Sequence, residues 1–267
     1  MNYGLYLSAS GMMTNLYRQD VLAHNLANVQ TVGFKPDVPG VRQRSPESVE
    51  GGFTGDVSDA LLDRLGGGVF AGPQRTSFEP GPAQQTGGPL DLMLADKDTF
   101  FAVEQRGDNA AGGTSGVSRI RLTRDGRFQL NDQGYLVTVA GEHYVLDTAN
   151  QRIQLDGPGT VTIDAAGRVQ QAGQAVAQVQ VAAVSDKDQL RKQGQNLFAM
   201  PDGKDIRTAA ANPGVRPGYL EGSGVDPIQA MLKIVEATKA VTANGNMIRY
   251  HDLLMDRAVN VLGRVVA

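Results

Sequence analysis

Apolar and polar positions divide this chain into two helical ends and a strand-rich middle. From Tyr3 to Asn28, the positions Leu5, Ala9, Met12, Leu16, Gln19, Ala23 and Leu26 alternate spacings of four and three, the period of a helical seam. The rest of that stretch is polar but almost uncharged: Ser8, Ser10, Asn15, Asn25 and Asn28 outnumber Arg18 and Asp20, its two charges. A helix with one face in water ordinarily carries more charge, so this one is expected to pack on several sides. Gly33 is a plausible stop.

The second helix has a definite start. Asp226 is placed to cap, Pro227 suits the first helical position, and Gln229 stands at the capping-box position. Continued to Arg264 it would be ~57 Å long. Its seam reads Met231, Ile234 or Val235, Thr238, Val241 and Ile248 early, then Met247, His251, Leu254, Ala258, Val261 and Val265. The two stripes differ in register, which predicts a stutter or a change of partner near Gly245.

Proline placement fits the division. None of the 12 prolines falls in 1–35 or 228–267, and seven lie between Pro36 and Pro89. Within the middle, 37–89 resists strand assignment and reads as an extended Gly/Pro-rich segment, and 106–118 as a loop. Strands are expected in Leu90–Glu104, Arg119–Thr123, Arg127–Leu130, Tyr135–Val139, Val161–Ile163, Arg168–Val169 and Val176–Val184, separated by turns such as Asp125-Gly126 and Asn131 to Gly134. The fold class is α+β: terminal helices forming a coiled-coil domain, plus an antiparallel β-rich domain. The expected organisation is 1–35, 36–89, 90–217 and 218–267.

Composition narrows the chemistry. The 267 residues carry a formal net charge of −3 and contain no Cys and no Trp. Thiolate chemistry is excluded, and neither a basic patch nor an aromatic platform for nucleic acid is visible. His24, His143 and His251 lack metal-ligand spacing, although His24 and His251 would meet if the helices paired in that register. Gly66-Gly67-Gly68 has no following Lys-Ser or Lys-Thr to make a phosphate cradle. Asp91, Asp96 and Asp98 read as turn residues, and Glu221-Gly222-Ser223-Gly224 is no nucleophile elbow. No catalytic, cofactor-binding or metal-binding residue is expected, and no apolar run is long enough to span a membrane.

The ends carry a recognisable signature. Asn25-Leu26-Ala27-Asn28, then Thr31, then Gly33-Phe34-Lys35, resembles the N-terminal motif of flagellar basal-body rod and hook proteins. The stretch from Gly218 to Asp226 with the following helix resembles the same family's C-terminal region. Thr123 to Phe128 and Gly134 to Thr138 resemble its β-domain. Gly224, Val241-Thr242 and Gly245 depart from the family pattern. Leu220-Glu221-Gly222-Ser223 leans towards the proximal-rod type, with the distal-rod type close behind.

The resemblance implies a structural, non-enzymatic subunit of the periplasmic rod. Its helices would form an inner domain, its β-domain would face outward, and it would leave the cell through the flagellar type III apparatus without a cleaved signal. Implied partners are further copies and other axial rod and hook proteins, the export apparatus, and the bushing rings around the rod. No cofactor, small-molecule substrate or nucleic acid is implied. The expected assembly seam is Leu5, Met12, Leu16, Leu26, Met231, Val235, Ile248, Leu254 and Val261.

Overall fold

The computed structural model describes residues 3–45, 66–105, 120–155, 159–200, 207–208 and 213–262. The loop expected at 106–118 lies outside these, as do 46–65 of the Gly/Pro-rich segment, Val265 and the expected helix end at Arg264. The side chain of Val261 also lies outside the described residues. The fold is α+β: two long terminal helices pack together, and the middle forms several antiparallel sheets. Two compact units emerge, one made of Met1–Ala27, Asp37–Arg75 and Asp226–Ala267, the other of Asn28–Pro36 and Thr76–Val225.

In the first unit, helix α1 (Tyr3–Ala27) pairs with helix α2 (Pro227–Arg257), which ends in a π-helical turn at Ala258–Leu262. Asp226 has extended backbone, and its carboxylate accepts from the amides of Ile228 and Gln229, with Pro227 in the first turn. The helices run antiparallel. A Cβ built on Gly4 would lie 2.6 Å from His251 Nε2, and one on Gly11 would lie 3.2 Å from Asn244 Nδ2. His251 therefore sits beside Gly4, some twenty residues (~30 Å of helix) from His24. The two histidines, which would have met in another register, are apart.

Ala230, Ile234, Ala237, Val241, Asn244, Ile248 and His251 of α2 are buried or half-buried on one unbroken four-three seam, with Ala240 and Gly245 half-buried beside it. No stutter interrupts it at Gly245. The break read from the sequence arose because two seam positions are polar and the bulky apolar residues stand off the seam. On another side α1 meets a two-stranded sheet of β1 (Asp37–Gln43) and β2 (Val69–Thr76). Thr14 Oγ1 donates to Val69 O at 3.3 Å, Tyr17 OH to Gly72 O at 3.3 Å, and Ser10 stands against Gly68. The segment 37–89 thus contains strands that its prolines hid, a third being Ala83–Gln85. Pro39 and Pro73 are tolerated because both strands of a two-stranded sheet are edges.

The second unit is built around a nine-stranded antiparallel sheet. At its centre lies Thr99–Glu104, paired with Ile120–Thr123, Tyr144–Val145 and Val181–Ala183. Its apolar run is buried on both faces. Phe101 and Val103 enter one core with Leu92, Phe128, Leu136 and Val169, while Phe100 and Ala102 enter another with Phe78, Leu122 and Phe198. A three-stranded sheet of Val161–Ile163, Arg168–Gln171 and Gln174–Gln178 lies beside it in the chain order. The single strand expected over Val176–Val184 is two strands in different sheets, Gln174–Gln178 and Val181–Ala183.

Candidate functional site: the free helical faces and the signature cluster

α1 is laid out as three stripes. Gly4, Ser8 and Gly11 share the α2 side; Ser10, Thr14, Tyr17 and Asn25 share the sheet side. The third stripe, Tyr6, Met13, Leu16, Asp20 and Ala23, is exposed, with Tyr6 at 70% and Met13 at 72% of full exposure. The glycines explain why α1 tolerates so little bulk on its α2 side: a Cβ at Gly4 would meet the His251 ring.

α2 is the more open helix. Only Ala230 and Ala237 are buried in it. Its large apolar side chains stand in water in two groups: Ile228, Met231, Leu232 and Val235 at the start, and Met247, Tyr250, Leu253, Leu254, Met255 and Val259 towards the end. Of the seam expected from the sequence, Leu16, Met231, Val235 and Leu254 are exposed, and Leu5, Met12, Leu26 and Ile248 are half-buried.

The signature residues have a different character. Asn25, buried in the helical unit, donates from Nδ2 to Asp37 O at 2.7 Å and accepts from Asp37 N at 2.9 Å through Oδ1. This two-way bond satisfies both backbone groups of a buried residue. Leu26 and Ala27 finish α1. The remaining signature residues belong to the β-unit. Thr31 N donates to Asn28 O at 3.1 Å, and Phe34 N donates to Thr31 O at 3.2 Å, which shapes a tight loop. Gly33 has φ +67, and a Cβ there would fall 2.6 Å from the Arg124 carbonyl, so only glycine fits.

The loop ends on a buried charge cluster. Lys35 Nζ donates to Glu221 Oε1 at 2.5 Å and to Glu79 O at 2.9 Å. Arg124 donates to Glu221 Oε2 at 3.2 Å and to Asp96 O at 2.7 Å, and its guanidinium lies 5.0 Å over the Phe100 ring. Gly81 N adds a further bond to Glu221 Oε1 at 3.0 Å. The side chains of Lys35, Arg124 and Glu221 are each 1% exposed. Burial pulls the Lys35 ammonium below its ordinary pKa and the Arg124 guanidinium below its own, with the Glu221 carboxylate opposing both falls. Backbone bonds complete the join: Gly33 N to Glu221 O at 2.7 Å, and Gly224 N to Phe34 O at 3.0 Å.

Glu221 and Arg124 were quoted from the sequence as motif residues without this role. Their partners lie 186 and 97 positions away, and no local period reports that. The signal that could have found them is a lone Lys in an otherwise apolar Gly-Phe-Lys-Pro stretch, which needs a counter-ion if it is buried. Asp125 follows the same logic, gripping Arg127 in a bidentate pair at 3.0 and 2.6 Å. Asp91 and Asp96 act in turns, accepting from Thr86 Oγ1 and Asp98 N, and Asp98 pairs with Lys187. Among the described residues no group of acidic and histidine side chains is arranged to hold a metal ion. No described helix is long and apolar enough to cross a membrane.

Paired terminal helices that leave large apolar side chains exposed, in a chain whose middle is a closed β-unit, are the layout of a structural subunit. The family described as "Flagella basal body rod protein" matches residues 5–35, and that described as "Flagellar basal body rod FlgEFG protein C-terminal" matches 216–261. The chain is 31% identical to the flagellar basal-body rod protein FlgF of Caulobacter vibrioides over 99% of its own length and 100% of the relative's. It is 28% identical to the rod protein FlgG of Bacillus subtilis, covering 96% and 98%, and 30% identical to FlgF of Rhizobium meliloti, covering 98% and 99%. The chain belongs to the flagellar basal-body rod protein family, whose members are structural and non-enzymatic.

Proposed function

We propose that this rod protein polymerises helically with further copies and with other axial rod and hook proteins, transmitting torque and forming part of the wall of the export channel. Export would run through the flagellar type III apparatus, and bushing rings would surround the finished rod.

The observation that carries this reading is the exposed apolar side of α2. Ile228 is 78% exposed, with Met231, Leu232 and Val235 beside it. Each large apolar side chain removed from water contributes roughly 1.5–3 kcal/mol, so a few such residues per contact suffice for a firm polymer. Interlocked helices then resist twisting because core packing has little slack. The assembly seam we assign is Leu16, Met231, Val235 and Leu254 as outward contacts, with Leu5, Met12, Leu26 and Ile248 half-covered within the chain's own helix pair.

Replacing Met231 and Val235 together with Glu tests the reading. Both are exposed in the single chain, so circular dichroism and the thermal midpoint should stay near wild type. Incorporation into isolated basal bodies and swimming should be lost. A folded double variant found in basal bodies at the normal level would refute the proposal.

A further inference from the structure

Three glycines lie inside the described helices, and close approach accounts for two of them. A Cβ on Gly4 would meet the His251 ring, and one on Gly11 would lie 3.2 Å from Asn244 Nδ2. Gly245 is different. It sits well inside α2, its backbone is helical, and a Cβ there would meet nothing within 4 Å. Glycine weakens a helix interior, and no close approach within the chain requires it here.

What Gly245 does change is the reactivity of the residue before it. Asn244 alone among the asparagines of the chain precedes a glycine, so no side chain shields the next amide nitrogen. Once the backbone leaves the helical range, the Gly245 nitrogen can attack Asn244 Cγ. A C–N bond forms, the Cγ–Nδ2 bond breaks, and ammonia departs with the proton that the Gly245 amide gives up. Water then opens the cyclic imide at either carbonyl, leaving aspartate or its isomer with the backbone routed through the side chain. Inside α2 the attack is blocked. A helical ψ of about −42° holds the Gly245 nitrogen away from Cγ, and its N–H is held by the carbonyl four residues back.

The product has no place in the seam. Asn244 is half-buried and faces Gly11 of α1. Residues 7–15 of α1 and 240–248 of α2 carry no charge, and Arg18, the nearest cation on that side of α1, stands ~10 Å of helix beyond Gly11. A carboxylate at 244 is therefore drawn out of water without a counter-ion, and the isomer lengthens the backbone in the middle of the helix. We propose that Asn244 is a deamidation site which α2 guards while it is formed, and that its conversion ends the pairing of α1 with α2. A chain that lingers with α2 open thereby loses the pair.

Trypsin releases Ala240 to Arg249 as one peptide, which carries Asn246 as an internal control. The purified full chain is held at mildly alkaline pH in buffer and in urea, and fragment masses follow both asparagines. In urea Asn244 should convert at least tenfold faster than Asn246, and in buffer at least tenfold more slowly than in urea. Gly245→Ala, which the open space around Gly245 accepts, should remove the fast reaction in urea. Equal conversion of the two asparagines in urea, equal conversion of Asn244 in buffer and urea, or a Gly245→Ala chain that converts like the wild type would each overturn the proposal. Hydrogen exchange reads the consequence. Asn244→Asp should speed exchange of the α1 amides around Gly11 at least tenfold, whereas Asn244→Ala, which cannot react and matches Ala230 and Ala237 on the same seam, should not speed it. An Asn244→Asp chain that exchanges like the wild type overturns the loss of pairing.

Discussion

The β-unit and the helical unit solve the burial problem in opposite ways. In the β-unit, Phe100, Phe101, Val103, Leu122 and Leu136 are wholly inaccessible, and its buried ions are paired. In the helical unit, α2 spends 31 residues burying two alanines and leaves its largest side chains in water. The β-unit finishes its folding with its own residues. The helical unit holds its shape through an intramolecular pair and a small sheet, and leaves its strongest apolar surface exposed. Stability and assembly should therefore respond to different substitutions.

The largest expected effects lie in the β-unit. Phe101→Ala should cost about 3–5 kcal/mol in denaturant unfolding, because it leaves a cavity in a fully packed site, whereas Met231→Ala in α2 should change the same measurement by less than about 0.5 kcal/mol. Comparable losses from both would erase the contrast between the units. Glu221→Ala should rank beside Phe101→Ala, at about 3–5 kcal/mol, since it strands two buried cations. Lys35→Met in that background should recover part of the loss, and a double-mutant cycle measures the coupling. Additive losses would mean that Lys35 does not take Glu221 as its counter-ion.

Two smaller effects sharpen the picture. Gly33→Ala should cost about 1–3 kcal/mol from its left-handed backbone alone, with more from the clash on the Arg124 carbonyl. The smallest concerns acid. The bond from Lys187 holds the Asp98 carboxyl below its ordinary value. The folded chain thus binds that proton less readily than the unfolded chain does. Its stabilisation is present above the unfolded carboxylate pKa and fades as pH falls through the folded one. The Asp98 side chain is 47% exposed, so solvent screens the pair and Asp98→Asn should flatten the acid limb of a stability–pH curve by only a few tenths of a kcal/mol.

What the sequence revealed follows from the range over which each signal acts. The start of α2 was readable because Asp226, Pro227 and Gln229 act within one turn. The central strands were readable because Ile120 to Thr123 and Phe128 to Leu130 flank a local Asp-Gly turn. Whether His24 and His251 meet was not readable, because helix register depends on a contact between positions 4 and 251, which no short window contains. The helix of α1 was readable, but not which of its faces meets α2: with so few charges, its three stripes all look like seams. The strands Asp37–Gln43 and Val69–Thr76 were masked by Pro39, Gly40, Gly72 and Pro73, residues that a two-stranded edge sheet accepts and a central strand would not. The Lys35–Glu221–Arg124 cluster was out of reach because its three members come from distant parts of the chain, although each stood inside a recognisable motif.

Methionine oxidation tests the central claim most directly, since Met231, Met247 and Met255 are all more than half exposed in the single chain. Mild peroxide treatment of the purified chain and of isolated basal bodies, read by peptide mass, compares the same side chains free and assembled. Met231 and Met255 should oxidise at least tenfold more slowly in basal bodies, while Met93, already 8% exposed inside the β-unit, should be slow in both. Equal oxidation of Met231 and Met255 in the two states would mean that these faces stay in water in the rod.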